Sequence, residues 1–218
     1  MATKPDFWDD ARRALGRHDP VMRTIIRRCG PGHLVSRSDP FQTLARSIVG
    51  QQISVRAAQA VWERVGAASR LVTPERIGRM RATTLRGCGL SERKVEYLKD
   101  LASRFRSGEV DPAHWTSLGD EEAIAELVKV RGIGRWTAEM FLIFNLLRPD
   151  VFPVDDIGLL RAIALNYAGE GGPQDQEAAS GNRQAKAAAA AIGERWRPWR
   201  SVATWYLWRS LDPLPVDY

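Results

Sequence analysis

The stretch Leu127-Val128-Lys129-Val130-Arg131-Gly132-Ile133-Gly134-Arg135-Trp136-Thr137-Ala138 carries the strongest local signal in the chain. A helix is expected to end near Val130, two glycines one residue apart turn the chain, and a second helix starts at about Gly134. Glycine has no Cβ, so a phosphate can approach this backbone closely. The amides that open the second helix then point at the anion, with the positive end of the helix dipole behind them. The same spacing also serves an ordinary corner between two helices with glycine C-caps. Taken alone, the hairpin leaves both readings open.

Outward from the hairpin the pattern is helical nearly throughout. Trp136, Met140, Ile143, Phe144 and Leu147 recur at helical spacing, as do Phe41, Leu44, Ala45 and Ile48. Asp39-Pro40 supplies a cap and a first-turn proline for the earlier of these helices. Ser91 and Lys94 open another that runs to Phe105, and Trp199, Val202, Ala203 and Tyr206 mark a late one. Gly30-Pro31-Gly32 and Gly87-Cys88-Gly89 punctuate short connections. The stretch Gly169–Arg183 reads as a surface loop, and the alanine run Ala187–Ala191 as helix. No alternating strand of useful length is found, so the expected fold class is all-α.

Composition narrows the function classes. At 218 residues and 44% hydrophobic, the chain suits one compact unit with a real core. No apolar run approaches a membrane span, and the polar start Met1–Asp10 lacks a signal-peptide core. These features lead to the expectation of a soluble, cytoplasmic protein, nucleoid-associated if bacterial. A formal charge of +6, with arginine far outnumbering lysine, favours a polyanionic partner. Two cysteines, Cys29 and Cys88, cannot build a four-cysteine metal site. His18, His33 and His114 sit far apart, without ligand spacing.

Two further features bear on chemistry. Val151-Phe152-Pro153-Val154-Asp155-Asp156 places a carboxylate at the start of a helix running to about Tyr167. An ordinary N-cap accounts for a lone aspartate here. The two roles are compatible, because cap amides and the helix dipole keep a buried carboxylate ionised. Tryptophan is abundant, with 8 in the chain and four of them between Trp196 and Trp208. Most large aromatics are core, yet an extruded base needs aromatic walls.

Taken in order along the chain, these residues resemble the helix-hairpin-helix DNA glycosylase superfamily, and within it the 3-methyladenine DNA glycosylase II branch. Asp39 through Ser54, with Gly50-Gln51-Gln52-Ile53-Ser54 at its end, is similar to that branch's early helix and DNA-probing loop. Gly89 through Leu98 resembles its middle signature, and Arg195-Trp196-Arg197-Pro198-Trp199-Arg200-Ser201 its C-terminal one. The likeness covers roughly residues 20–212.

The resemblance implies roles. Paired aspartates precede the helix in this branch and the second is catalytic, which is Asp156, with Asp155 the alternative one position away. Arg161 stands five residues on, where the superfamily often carries arginine. Trp136, Met140 and Trp208 are implied to line the base pocket. Gln52 falls at the wedge position, with Gln51, Ile53 and Ser54 beside it on the DNA. Gly132, Gly134, Arg135 and Thr137 are implied DNA contacts at the hairpin. The carbonyls of Val128, Val130 and Ile133 are implied to hold a monovalent cation, Na+ or K+; no other cofactor is required. The implied architecture is a two-lobed helical bundle with a cleft between the lobes. Lobe one spans about 36–118, and lobe two takes the termini and about 119–218.

Departures refine the expectation. Arg131 stands where many members carry proline, and Trp136 where bifunctional members carry a lysine nucleophile. Tryptophan cannot form a Schiff base, so a glycosylase without strand cleavage is expected. The cysteines of an iron–sulfur cluster are missing from this region. The implied partner is double-stranded DNA with alkylated bases, bound by a monomer, with no membrane. The implied reaction is hydrolysis of the N-glycosidic bond of 3-methyladenine, 7-methylguanine, hypoxanthine or ethenoadenine. A non-catalytic helix-hairpin-helix DNA-binding module is the alternative; it explains the charge and the hairpin but not Asp156, Trp136 and Trp208.

Overall fold

The computed structural model describes residues 4–37 and 39–211. Among them there is no strand, and α-helices follow one another along the chain. They are α1 (Trp8–His18), α2 (Pro20–Cys29), α3 (Pro40–Gly50), α4 (Val55–Ser69), α5 (Pro74–Arg79), α6 (Ala82–Gly87) and α7 (Glu92–Ser107). Then come α8 (Pro112–Ser117), α9 (Asp120–Leu127), α10 (Arg135–Phe144), α11 (Ile157–Tyr167), α12 (Asp175–Ser180), α13 (Arg183–Gly193) and α14 (Arg200–Leu211). Many starts are set by a side chain that accepts an amide of the first turn. Asp19, Asp39, Ser54, Ser91, Asp156 and Asn182 all do so. Each such cap contributes about 1 kcal/mol.

Three local expectations need correction. Leu147 is not on the helix with Trp136, because α10 ends at Phe144 and Leu147 sits at φ 53°. The Arg148-Pro149 step beyond it disfavours helical backbone at Arg148. The helix before the hairpin ends at Leu127, earlier than Val130. Gly169–Arg183 is not all loop, since it contains α12. There the Gln174 amide donates to the Glu177 carboxylate at 3.2 Å, Ala178 is buried, and Gly181 at φ 60° ends the helix. A short amphipathic turn that packs on α11 and α13 is favoured over solvent.

The chain divides into two compact units. One is Arg37–Phe141; the other joins the N-terminal residues up to Ser36 to the chain from Leu142 onward. The inner unit therefore takes in α9, the hairpin and most of α10, beyond the expected boundary near residue 118. The reason is local packing: Gly132 lies against Tyr97, and the Gln51 side chain donates to the Gly132 carbonyl.

In the inner unit α7 is the central support. Val95, Leu98, Leu101 and Ala102 are buried on it, and α3, α5 and α6 pack around it. Lys99 on the same helix donates to the carbonyls of Gly78 and Met80, closing the α5–α6 connection.

In the terminal unit α14 is buried on nearly every side, from Ser201 through Trp208, which is why it shows no clean polar face. It packs against α1, α2 and α11. A buried aspartate, Asp19, ties this unit together. It accepts the Met22 amide at 2.8 Å, the Tyr167 hydroxyl at 2.8 Å and the Trp196 indole N–H at 2.9 Å. Burial, and then the neighbouring Asp19 charge, push the Tyr167 phenol far above its ordinary range. Asp19→Ala leaves three donors without their acceptor and is expected to cost about 3 kcal/mol. That corresponds to a loss of roughly 6–12 °C in a thermal melt. An unchanged melting temperature would show that Asp19 is not the tie described.

Candidate active site

The hairpin turns at two glycines, and the two differ. Gly132 has φ 85°, and a Cβ there would meet the Tyr97 ring at 2.3 Å. Gly134 is exposed and a Cβ there would meet nothing within 4 Å. Gly132 therefore lets the turn close onto α7, and Gly134 keeps the outer surface bare. Ile133 and Val130 point inward at 4% and 2% exposure, anchoring the turn.

Behind Gly134 the first turn of α10 presents its amides. The Arg135 guanidinium grips Glu121 through both Nη atoms, at 2.9 and 2.5 Å, and Glu139 through Nε at 3.0 Å. The Glu121 hydrogen bond, above all, holds Arg135 more firmly protonated than an ordinary arginine. Its fork is thus engaged with carboxylates rather than turned out toward a phosphate, and Thr137 is buried. Trp136 is half-buried, and Met140, one turn on, is buried.

The α3–α4 loop holds Gln51, Gln52, Ile53 and Ser54. Gln52 is exposed at φ 58°, and Ile53 is 40% exposed. Ser54 caps α4 through Oγ, and Gln51 spends its amide on the Gly132 carbonyl at 2.7 Å. Gln52, Ile53 and Ser54 are exposed, with the Ser54 hydroxyl committed to the cap.

In the terminal unit Asp156 is the N-cap of α11 and is 6% exposed. Its Oδ1 accepts the Leu159 amide at 2.6 Å and the Trp208 indole N–H at 2.9 Å. Asp155 is exposed and pairs with Lys186 at 2.5 Å. The two neighbouring aspartates are therefore chemically unlike. One is buried, capped and oriented; the other is a surface ion pair. Trp208, implied as a pocket wall, is 4% exposed, with its ring stacked on Phe144 at 5.8 Å and 12°. Its visible work is to hold Asp156. Arg161 lies exposed on α11.

The segment leading to Asp156 has a support that the sequence did not reveal. Arg200 donates to Asp150 through Nε at 2.8 Å and through Nη2 to Oδ2 at 3.0 Å, and also to the Asp150 carbonyl at 2.8 Å. Arg197 adds a bond to Asp150 Oδ2 at 2.8 Å, and Ser201 Oγ accepts the Val151 amide at 2.9 Å. The start of α14 thus pins residues 150–151, a few positions before the aspartates. The Arg195–Ser201 signature hinted at it.

A glycine hairpin joins α9 to α10, and elsewhere in the chain a buried aspartate is held by an indole. The chain belongs to the HhH-GPD superfamily of base excision DNA repair proteins, whose family model matches residues 45–186. DNA-3-methyladenine glycosylase 1 of Schizosaccharomyces pombe is 33% identical over 199 residues, which are 88% of this chain and 82% of that protein. The DNA-3-methyladenine glycosylase of Bacillus subtilis is 28% identical over 90% of this chain, which spans 65% of that protein. The solved structure of an S. pombe 3-methyladenine DNA glycosylase in complex with abasic DNA matches with a TM-score of 0.78 at 30% identity. That match covers 94% of this chain and 98% of the other.

Proposed function

We propose that this protein is a DNA glycosylase that hydrolyses the N-glycosidic bond of alkylated purines in duplex DNA. Its substrates are 3-methyladenine and 7-methylguanine, with hypoxanthine and ethenoadenine as further candidates. The observation that carries the reading is Asp156, a buried carboxylate whose Oδ1 is fixed by the Leu159 amide and the Trp208 indole. Alkylation at a ring nitrogen makes the base cationic and a good leaving group, so little general-acid help is needed. What the reaction demands is a fixed negative charge beside the oxocarbenium-like sugar, the demand a glycosidase meets with a carboxylate. Asp156 fills that role, and water completes hydrolysis to free base and an abasic site.

The base is extruded before reaction, at least cost where alkylation has weakened pairing. Gln52 and Ile53 enter from the minor groove, and the Gly134 backbone with the first amides of α10 holds a phosphate. Trp136 is the aromatic offered to the base. Three neutral carbonyls, those of Val128, Val130 and Ile133, suit an alkali cation better than a transition metal. The Val130 carbonyl accepts the Ile133 amide at 3.0 Å and keeps a second lone pair for an ion. The protein acts as a monomer.

Chemistry stops at base removal, because Trp136 supplies no amine for a Schiff base. Borohydride added during turnover on lesion-bearing duplex is expected to trap no covalent protein–DNA adduct; a trapped adduct would overturn the monofunctional assignment. The substrate range is tested by a product profile across duplexes carrying each of the four lesions. Release of 3-methyladenine and 7-methylguanine is the expected result. Release of neutral, oxidised bases with no methylated ones would contradict it.

A further inference from the structure

Lys94 lies on the first turn of α7, half-buried, with its ammonium on the end of α3. It donates to the Val49 carbonyl at 2.8 Å and to the Gln51 carbonyl at 2.7 Å. Burial lowers its pKa below the ordinary lysine value. The two acceptors lie at the C-terminus of α3, where carbonyls lack partners within the helix and the dipole favours a cation. The next residue, Gln52, is a non-glycine in the left-handed region at φ 58°. Such a backbone is strained and persists only where its surroundings over-determine it. The clamp on Val49 and Gln51 is the visible restraint.

The same assembly reaches the hairpin. Gln51, whose carbonyl Lys94 holds, sends its side-chain amide to the Gly132 carbonyl at 2.7 Å. Gly132 in turn rests on the ring of Tyr97, one turn beyond Lys94 on α7. Probing loop and hairpin are thus mounted on successive turns of one helix and hydrogen-bonded to each other. We propose that Lys94 is a positioning residue for base extrusion: its clamp fixes the Gln52 backbone and sets the spacing between the probing loop and the phosphate-binding hairpin. The inference rests on the glycosylase reading of that loop and adds a residue with no contact to the substrate.

The test uses the full chain and a duplex with 2-aminopurine beside the lesion, so that extrusion raises fluorescence. Lys94→Met is expected to lower both the fluorescence rise and single-turnover base release by about ten- to a hundredfold on a paired lesion. On the same lesion in a mismatch, where unpairing costs least, the fall is expected to stay below about threefold. Lys94→Arg, which keeps charge and donors, restores most of the rate. Lys99→Met is the structural control. Lys99 clamps the Gly78 and Met80 carbonyls in the same way, away from the loop, so its loss lowers the melting temperature without changing extrusion. Equal losses on paired and mismatched lesions, or no loss on either, would overturn the proposal. If the wild type extrudes the base but releases none, the hydrolytic reading fails while Lys94 is still judged on fluorescence. If the wild type does neither, the probing-loop reading falls and this inference with it.

Discussion

Asp156→Asn is expected to reduce single-turnover release of methylated purine by about a hundredfold or more, with affinity for abasic duplex and melting temperature nearly unchanged. Asparagine keeps an oxygen that can accept both the Leu159 amide and the Trp208 indole, so the α11 cap and the stacked tryptophan survive. What is lost is the charge, which matters only once the sugar becomes cationic. Asp155→Asn is the paired control. It breaks an exposed ion pair with Lys186, which contributes about 1 kcal/mol at most, and release should change by less than threefold. A steep loss in Asp155→Asn with none in Asp156→Asn would reverse the assignment.

The second large effect separates the hairpin glycines. Gly132→Ala forces an alanine into φ 85° with its Cβ 2.3 Å from the Tyr97 ring. The left-handed backbone and the overpacking together are expected to cost about 2–4 kcal/mol, and the hairpin must lift off α7. Melting temperature and DNA affinity should fall together. Gly134→Ala meets nothing within 4 Å, so the melt should not move. Its methyl group stands where a phosphate would approach the backbone, and affinity for duplex should drop about tenfold. If both variants melt and bind alike, the division of labour between the glycines is wrong.

What was legible in the sequence was local. Asp39-Pro40, Ser91 and the Gly132-Ile133-Gly134 turn announce themselves because a cap or a turn needs its residue type within three or four positions. Asp156 could be read as a cap for the same reason. The resemblance pointed to Asp156 before Asp155, but the burial that sets the two apart could not be read locally, since Trp208, which holds Asp156, lies 52 residues further on. The Asp19 tie was silent for a stronger version of that reason: Tyr167 and Trp196 reach it from 148 and 177 residues away. Arginine at a helix start suits phosphate as well as carboxylate, and the Glu121 and Glu139 partners of Arg135 are visible only in the fold. The α12 turn was hidden by its glycines and proline, although the Gln174–Glu177 spacing was a usable signal.

The central claim is that a buried, oriented Asp156 makes this helix-hairpin-helix protein an enzyme rather than a grip. The direct measurement is chromatography of the supernatant after the wild-type protein is incubated with methylated duplex DNA. Free 3-methyladenine should appear, and the DNA strand should stay intact until alkali opens the abasic sites. Tight binding to abasic duplex with no base released would contradict the account and leave a DNA-binding module in its place.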